Sequence, residues 1–169
     1  MGQACSYSLD ELKPQISASY PWFHVAKADE AVNAEEAYES RRNQYHSTRI
    51  LALLEREIDR LRVGKLLGVA DFDLYVPGMN FVFGEARCPG RVGIISTRRL
   101  KPHSPNAIGL FQERVVKEAV HEIGHMLGLR HCANELCTMH FSERLLDTDR
   151  KRAELCGDCN SKLKVLEAE

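Results

Sequence analysis

His121-Glu122-Ile123-Gly124-His125-Met126-Leu127-Gly128-Leu129-Arg130-His131-Cys132 is the stretch from which the rest of the chain can be read. It has the form H-E-x-x-H-x-x-G-x-x-H. Four residues of helix turn about 400°, so His121 and His125 share a face and their imidazoles can grip one ion. Ala119, Ile123 and Met126 fall on the far side and are apolar, so the helix can bury its back. A helix continued to His131 would swing that side chain about 240° away from His125. Gly128 is suited to a left-handed C-terminal stop, after which the chain can turn and return His131 to the ion. Three neutral nitrogens leave a fourth tetrahedral position for water, the arrangement of a catalytic zinc site. Glu122 points about 100° from His121 around the helix, where it can serve a metal-bound water as general base. Zinc brings the pKa of such a water to about 7 and can polarise a carbonyl, which describes amide hydrolysis. H-E-x-x-H alone recurs by chance. Two histidines paired by accident would leave Gly128 and His131 unexplained.

A second constellation starts at the next residue. Four residues separate Cys132 from Cys137, Cys156 and Cys159 form C-x-x-C, and eighteen residues lie between the pairs. That spacing matches a closed four-cysteine zinc site, with no open position for reaction. Such an ion would staple a tail that has few apolar anchors of its own. Disulfides are the competing reading, disfavoured in a reducing compartment. A redox C-x-x-C is the other, but it normally opens a helix after a strand, and Cys156 follows charged helical sequence. Cys5 and Cys88 have no partner at ligand spacing.

Upstream of the metal stretch, an apolar face of Val116, Val120 and Leu127 predicts a helix over 107–129. Before it, 98–106 reads as a loop around Pro102 and Pro105. Short strands are expected at Asp71 to Val76, Phe81-Val82-Phe83 and Val92-Gly93-Ile94-Ile95. Leu51, Leu54, Ile58 and Leu61 predict a helix from about 35 to 66, with Gly64 and Gly68 near its end. Trp22-Phe23-His24-Val25 is a further strand candidate. Downstream, Ser142 could cap a short helix over Leu145 and Leu146.

The whole chain has 169 residues, with 23 Lys plus Arg against 24 Asp plus Glu. That length suits one domain. The even charge offers no general drive toward nucleic acid or membrane. No segment is apolar enough to span a bilayer, and the first twenty residues lack a signal-peptide core, so a cytoplasmic protein is expected. Met1-Gly2-Gln3-Ala4-Cys5-Ser6 fits an N-myristoylation pattern, but the pattern is short and common by chance.

With these residues in view, the sequence resembles the archaemetzincins, a branch of the metzincin metallopeptidases. The resemblance is carried by the His121-to-His131 motif, Cys132, Cys137, Met139 and Cys156-x-x-Cys159. It extends to Arg42-Asn43-Gln44-Tyr45, Asn80 to Ala86, Ile95-Ser96 and Arg99-Leu100. The C-x-x-C sits about one residue closer to Met139 than the family spacing. The resemblance implies an α/β (mixed α+β) zincin fold: a twisted mixed sheet, a backing helix, the active-site helix and a small zinc-stapled C-terminal subdomain. It implies one catalytic domain divided at 1–128 and 129–169. His121, His125 and His131 would hold the catalytic zinc, Glu122 would be the base, and Met139 would lie in a Met-turn beneath the metal. A strand near 81–86 or 92–96 could pair with an extended peptide. Some metzincins place a Tyr two residues after that Met; here Phe141 stands there and can neither ligate nor donate. His140 reads as a surface residue, and Glu118 as a solvated helix charge. Arg41, Arg42, Arg98 and Arg99 read as solvated faces or core-edge ion pairs.

The expected function is therefore zinc-dependent peptide-bond hydrolysis by a monomer, with two Zn2+ per chain, a peptide or protein substrate, and no nucleic-acid or membrane partner. The alternative is a peptide- or protein-binding module that retains the metzincin site without efficient turnover.

Overall fold

The computed structural model describes residues 9–28, 31–102, 104 and 107–168. The lipidation pattern at Met1–Ser6, with Cys5 in it, lies outside them. Eleven elements follow in chain order: α1 Leu12–Ser19, β1 Tyr38–Glu39, β2 Gln44–His46, α2 Ser47–Leu61, β3 Leu66–Ala70, β4 Leu74–Tyr75, β5 Gly84–Ala86, β6 Val92–Ser96, α3 Ile108–Met126, α4 Leu145–Arg150 and α5 Gly157–Ala168.

The strands form two small mixed sheets, ordered β1-β2-β4 and β3-β6-β5. In the second, β3 runs parallel to β6 and β5 runs antiparallel to it. All five residues of β6 are buried, as a central strand covered on both faces requires. Their alternation divides the core. Val92 and Ile94 join Ile50, Leu51, Leu54 and Ile58 of α2, while Ile95 joins the α3 side. Gly93 eases the packing there, since a Cβ would lie 3.3 Å from both Ala86 Cβ and Leu67 Cδ1. The α3-side core continues into the tail through Leu129, Cys137, Met139, Leu155, Cys159 and Leu163.

Several elements differ from the sequence expectation. The long helix expected from 35 begins only at Ser47; a β1-β2 hairpin stands before it. It ends at Leu61, where Arg62 takes the left-handed conformation (φ 53°). Of the strand expected over 71–76 only the two-residue β4 forms, and residues 66–70, just past the expected helix, form β3. Residues 22–25 form no strand; Trp22 and Phe23 pack with Tyr20 as an aromatic cluster instead. Ser142 does not cap α4. The Asp147 carboxylate does, accepting the N–H groups of Glu143 (3.1 Å) and Arg144 (2.9 Å).

Candidate active site

α3 ends in the manner its sequence predicts. Gly128 has φ +98°; its N–H donates to His125 O at 2.9 Å, and the Leu129 N–H reaches back to Gly124 O at 3.0 Å. This pair of bonds is a Schellman stop. It turns the chain back so that the His131 ring lies 4.8 Å from that of His125 and 5.4 Å from that of His121.

The tautomers follow from hydrogen bonding. His121 Nδ1 lies 2.7 Å from Thr138 O, and His125 Nδ1 lies 2.7 Å from Leu129 O. A carbonyl oxygen only accepts, so each Nδ1 carries the hydrogen and each neutral ring turns a lone pair outward at Nε2. The two Nε2 atoms face each other at 3.0 Å. Burial pushes both pKa values down, that of His121 strongly, and the Lys151 ammonium adds to the effect. His131 is lowered to about 4, by burial and by the neighbouring His125 and Lys151. Two facing lone pairs repel unless a cation lies between them. One ligand nitrogen from each of the three rings lies within 4.8 Å of the others, a set that fits a metal ion.

Glu122 is buried beside this set, and its Oε2 has no hydrogen-bond partner among the described residues. Its pKa is pushed well up by burial and by Glu118, with Lys151 opposing. Its other oxygen packs on β5: a Cβ at Gly84 would sit 2.5 Å from Glu122 Oε1. Met139 is fully buried against α3, with its sulfur where a Cβ on Gly124 would fall. A cleft of about 250 Å³ opens over the rings between β5 and the tail, with Val82, Cys88, Arg130 and Phe141 at its walls. The Phe141 ring lies 4.9 Å from that of His131 and supplies no donor.

The four cysteines also converge, with their sulfurs within 4.8 Å of one another. Cys132 and Cys156 sulfurs are 3.8 Å apart, and those of Cys137 and Cys159 are 3.7 Å apart. These are far beyond a disulfide bond of about 2.05 Å. They match the edge of a tetrahedron with Zn–S of about 2.3 Å, which is roughly 3.8 Å. Backbone N–H groups of Asn134 and Cys156 point at the sulfurs of Cys132 (3.4 Å) and Cys137 (3.3 Å). The Cys156 thiol is lowered to about 7, chiefly by the Cys159 backbone N–H, while burial raises Cys137 and Cys159. The C-x-x-C does open a helix, α5, but irregular chain precedes it rather than a strand.

Three groups carry more than their sequence context reveals. Glu118 is not a solvated charge. It is buried, 3.0 Å from the buried Lys151 ammonium, and accepts the Thr148 hydroxyl at 3.1 Å. One turn earlier, Arg114 grips Asp149 in a two-pronged pair at 2.6 and 2.8 Å. The metal-facing side of α3 is thus continued by charges that α4 covers. His140 is half-buried, its Nδ1 2.9 Å from Cys132 O. The segments at 42–45, 80–86 and 99–100 meet around the loop before β5. Arg42 donates to Met79 O and Asn80 O at 3.0 Å, Gln44 bridges Asn80 O and Asp73 at 2.9 Å, and Arg99 pairs with Asp73 at 2.6 Å.

Comparison with known proteins supplies the context. The model of peptidase family M54 matches residues 25–165. The archaemetzincin of Methanopyrus kandleri is 44% identical over 172 residues, covering 94% of each chain. That of Archaeoglobus fulgidus is 46% identical over 129 residues, covering 76% of this chain and 74% of the relative. The crystal structure of the M. kandleri archaemetzincin superposes with a TM-score of 0.78 at 38% identity, covering 95% of this chain and 86% of that one. A zinc-dependent peptidase from Methanocorpusculum labreanum gives a TM-score of 0.80 at 31% identity, covering 90% and 91%.

Proposed function

The chain belongs to peptidase family M54, the archaemetzincins, and from that premise we propose that it hydrolyses peptide bonds at a zinc ion held by His121, His125 and His131, with Glu122 as general base. The observation that carries this reading is the pair of facing Nε2 lone pairs beside the unpartnered Glu122 oxygen. Zinc, when bound, lowers the pKa of a water and polarises the scissile carbonyl. The Thr138 and Leu129 carbonyls hold the two imidazoles in the ligating tautomer. Glu122 takes the proton of the attacking water and returns it to the leaving amine. Gly84, by its missing side chain, lets that carboxylate lie against β5. Among the described residues the outer edge of β5 pairs with no strand, so an extended peptide can pair there. Cys132, Cys137, Cys156 and Cys159 hold a second, closed zinc that folds the tail, and Met139 supports the rings by packing.

The test uses zinc-loaded full-length protein and a broad peptide library. Cleavage should stop with a chelator and in Glu122→Ala. Cleavage that survives Glu122→Ala contradicts the mechanism. Metal analysis should return two zinc ions per chain. Phe141 favours the second reading, because it withholds a donor from the oxyanion position. Protein that binds peptides with its zinc in place but cuts none of them is a binding module that retains the site.

A further inference from the structure

β5 is an edge strand three residues long. On one side it pairs with β6 in the register Gly84↔Ile95, Glu85↔Ile94, Ala86↔Gly93. The flanking bonds run from Ser96 N–H to Phe83 O at 2.7 Å and from Arg87 N–H to Val92 O at 3.0 Å. Backbone polarity alternates along an antiparallel strand. The odd residues 83, 85 and 87 therefore turn their N–H and C=O groups to β6. Gly84 and Ala86 turn theirs to the open edge, beside the cleft.

So short a strand, bonded on one side, does not hold its free groups in line by itself. Glu85 is the only β5 side chain able to hydrogen-bond. It reaches the start of α2, while also lining the cleft with Glu122, whose raised pKa its charge adds to. Its carboxylate accepts the Thr48 hydroxyl at 2.9 and 3.0 Å, and the Ser47 hydroxyl lies 2.5 Å from Oε2. Ser47 is fully buried and also lies 3.1 Å from Tyr75 O in β4. The strand is thus fixed on one face by hydroxyls at the head of α2. On its other face Gly84 lies against Glu122.

We propose that Glu85 is a positioning residue for extended peptides: its bonds to Ser47 and Thr48 fasten β5 to α2, so that the open edge stays in register with Glu122. This rests on the peptidase reading above. Pre-aligned edge groups let a peptide bind without first ordering the strand. The benefit goes only to substrates long enough to lie along β5.

The test compares two substrates on zinc-loaded full-length protein: a peptide of about eight residues, and a short one with a single residue on each side of the scissile bond. Loss of one charge-assisted anchor should raise the KM of the long substrate about tenfold relative to the short one in Glu85→Ala. Thr48→Val should move the same ratio in the same direction by less. Glu85→Gln, whose amide oxygen still accepts, should restore most of it. Equal losses for both substrates, or a change confined to kcat, overturn the proposal. Should Glu85→Ala not fold, Thr48→Val and Glu85→Gln carry the comparison. If the wild-type protein cleaves neither substrate, the peptidase reading has failed, and hydrogen exchange judges the anchor alone. Amides at 83–87 should then exchange about tenfold faster in Thr48→Val, with α5 unchanged. Unchanged exchange at 83–87 overturns the anchor.

Discussion

At Gly124, inside H-E-x-x-H, an added methyl group would run into the Met139 sulfur and come within 3.1 Å of the Tyr20 hydroxyl. Alanine ordinarily stabilises a helix interior relative to glycine by about 1 kcal/mol. Here the close approach reverses the sign: Gly124→Ala should lower the melting temperature and weaken metal binding at the histidines, measured by thermal unfolding and zinc titration. Gly84→Ala should act on chemistry, because its Cβ would meet both Glu122 Oε1 and the Ile94 carbonyl, at 2.5 and 2.8 Å. A fall in kcat with retained zinc is the expected result. These two glycines show where the sequence is silent. Gly128 was readable because a helix stop is local, written in the residues on either side of it. The demands on Gly84 and Gly124 come from Glu122 and Met139, which meet them only in the fold. The burial of Glu118 is hidden from the sequence for the same reason: its partners Thr148 and Lys151 lie 30 and 33 positions away.

Between elements, α3 meets α4 and the residue after it through Arg114–Asp149, Glu118–Thr148 and the buried Glu118–Lys151 pair. Lys151→Met would leave Glu118 charged and unpaired, and should cost about 3–5 kcal/mol in denaturant unfolding. Combining it with Glu118→Gln should recover much of that loss, since no isolated charge remains. Asp73, in the bend between β3 and β4, gives a pH dependence. Burial opposes ionisation of Asp73, but hydrogen bonds from Arg99 and Gln44 and the Arg99 charge outweigh it, so its pKa is lowered in the fold. The stability it contributes is present above its unfolded value of about 3.9 and is lost as pH falls through the lower folded value. Asp73→Asn should flatten the acid limb of the unfolding curve, read as melting temperature against pH. Long elements were legible here and short ones were not. α2 and α3 announce themselves by period, because many residues repeat one pattern. β1, β2, β4 and β5 have only two or three residues each. Their pairing depends on partners elsewhere in the chain, so the hairpin before α2 read as helix.

Across the whole molecule, the two candidate metal centres share a wall. Thr138 and Met139 stand directly after Cys137; one carbonyl orients His121, and Met139 lies under Gly124. Cys156→Ser should therefore lower the melting temperature and also weaken zinc binding at the histidines. A tail mutant with unchanged affinity there would show that the centres are independent. The sequence spacing revealed both donor sets but not this link, because nothing in a motif records which carbonyl meets which imidazole. Placing the orienting carbonyl and the third ring downstream of α3 also has a temporal effect. A chain synthesised from its N-terminus displays His121, Glu122 and His125 before Thr138 exists, and Thr138 before Cys159. Until the tail has emerged and closed, His121 lacks the carbonyl that orients it and Gly124 lacks the Met139 packing. The order of translation itself delays the gathering of the three histidines and their orienting carbonyls until residues beyond α3 have been made.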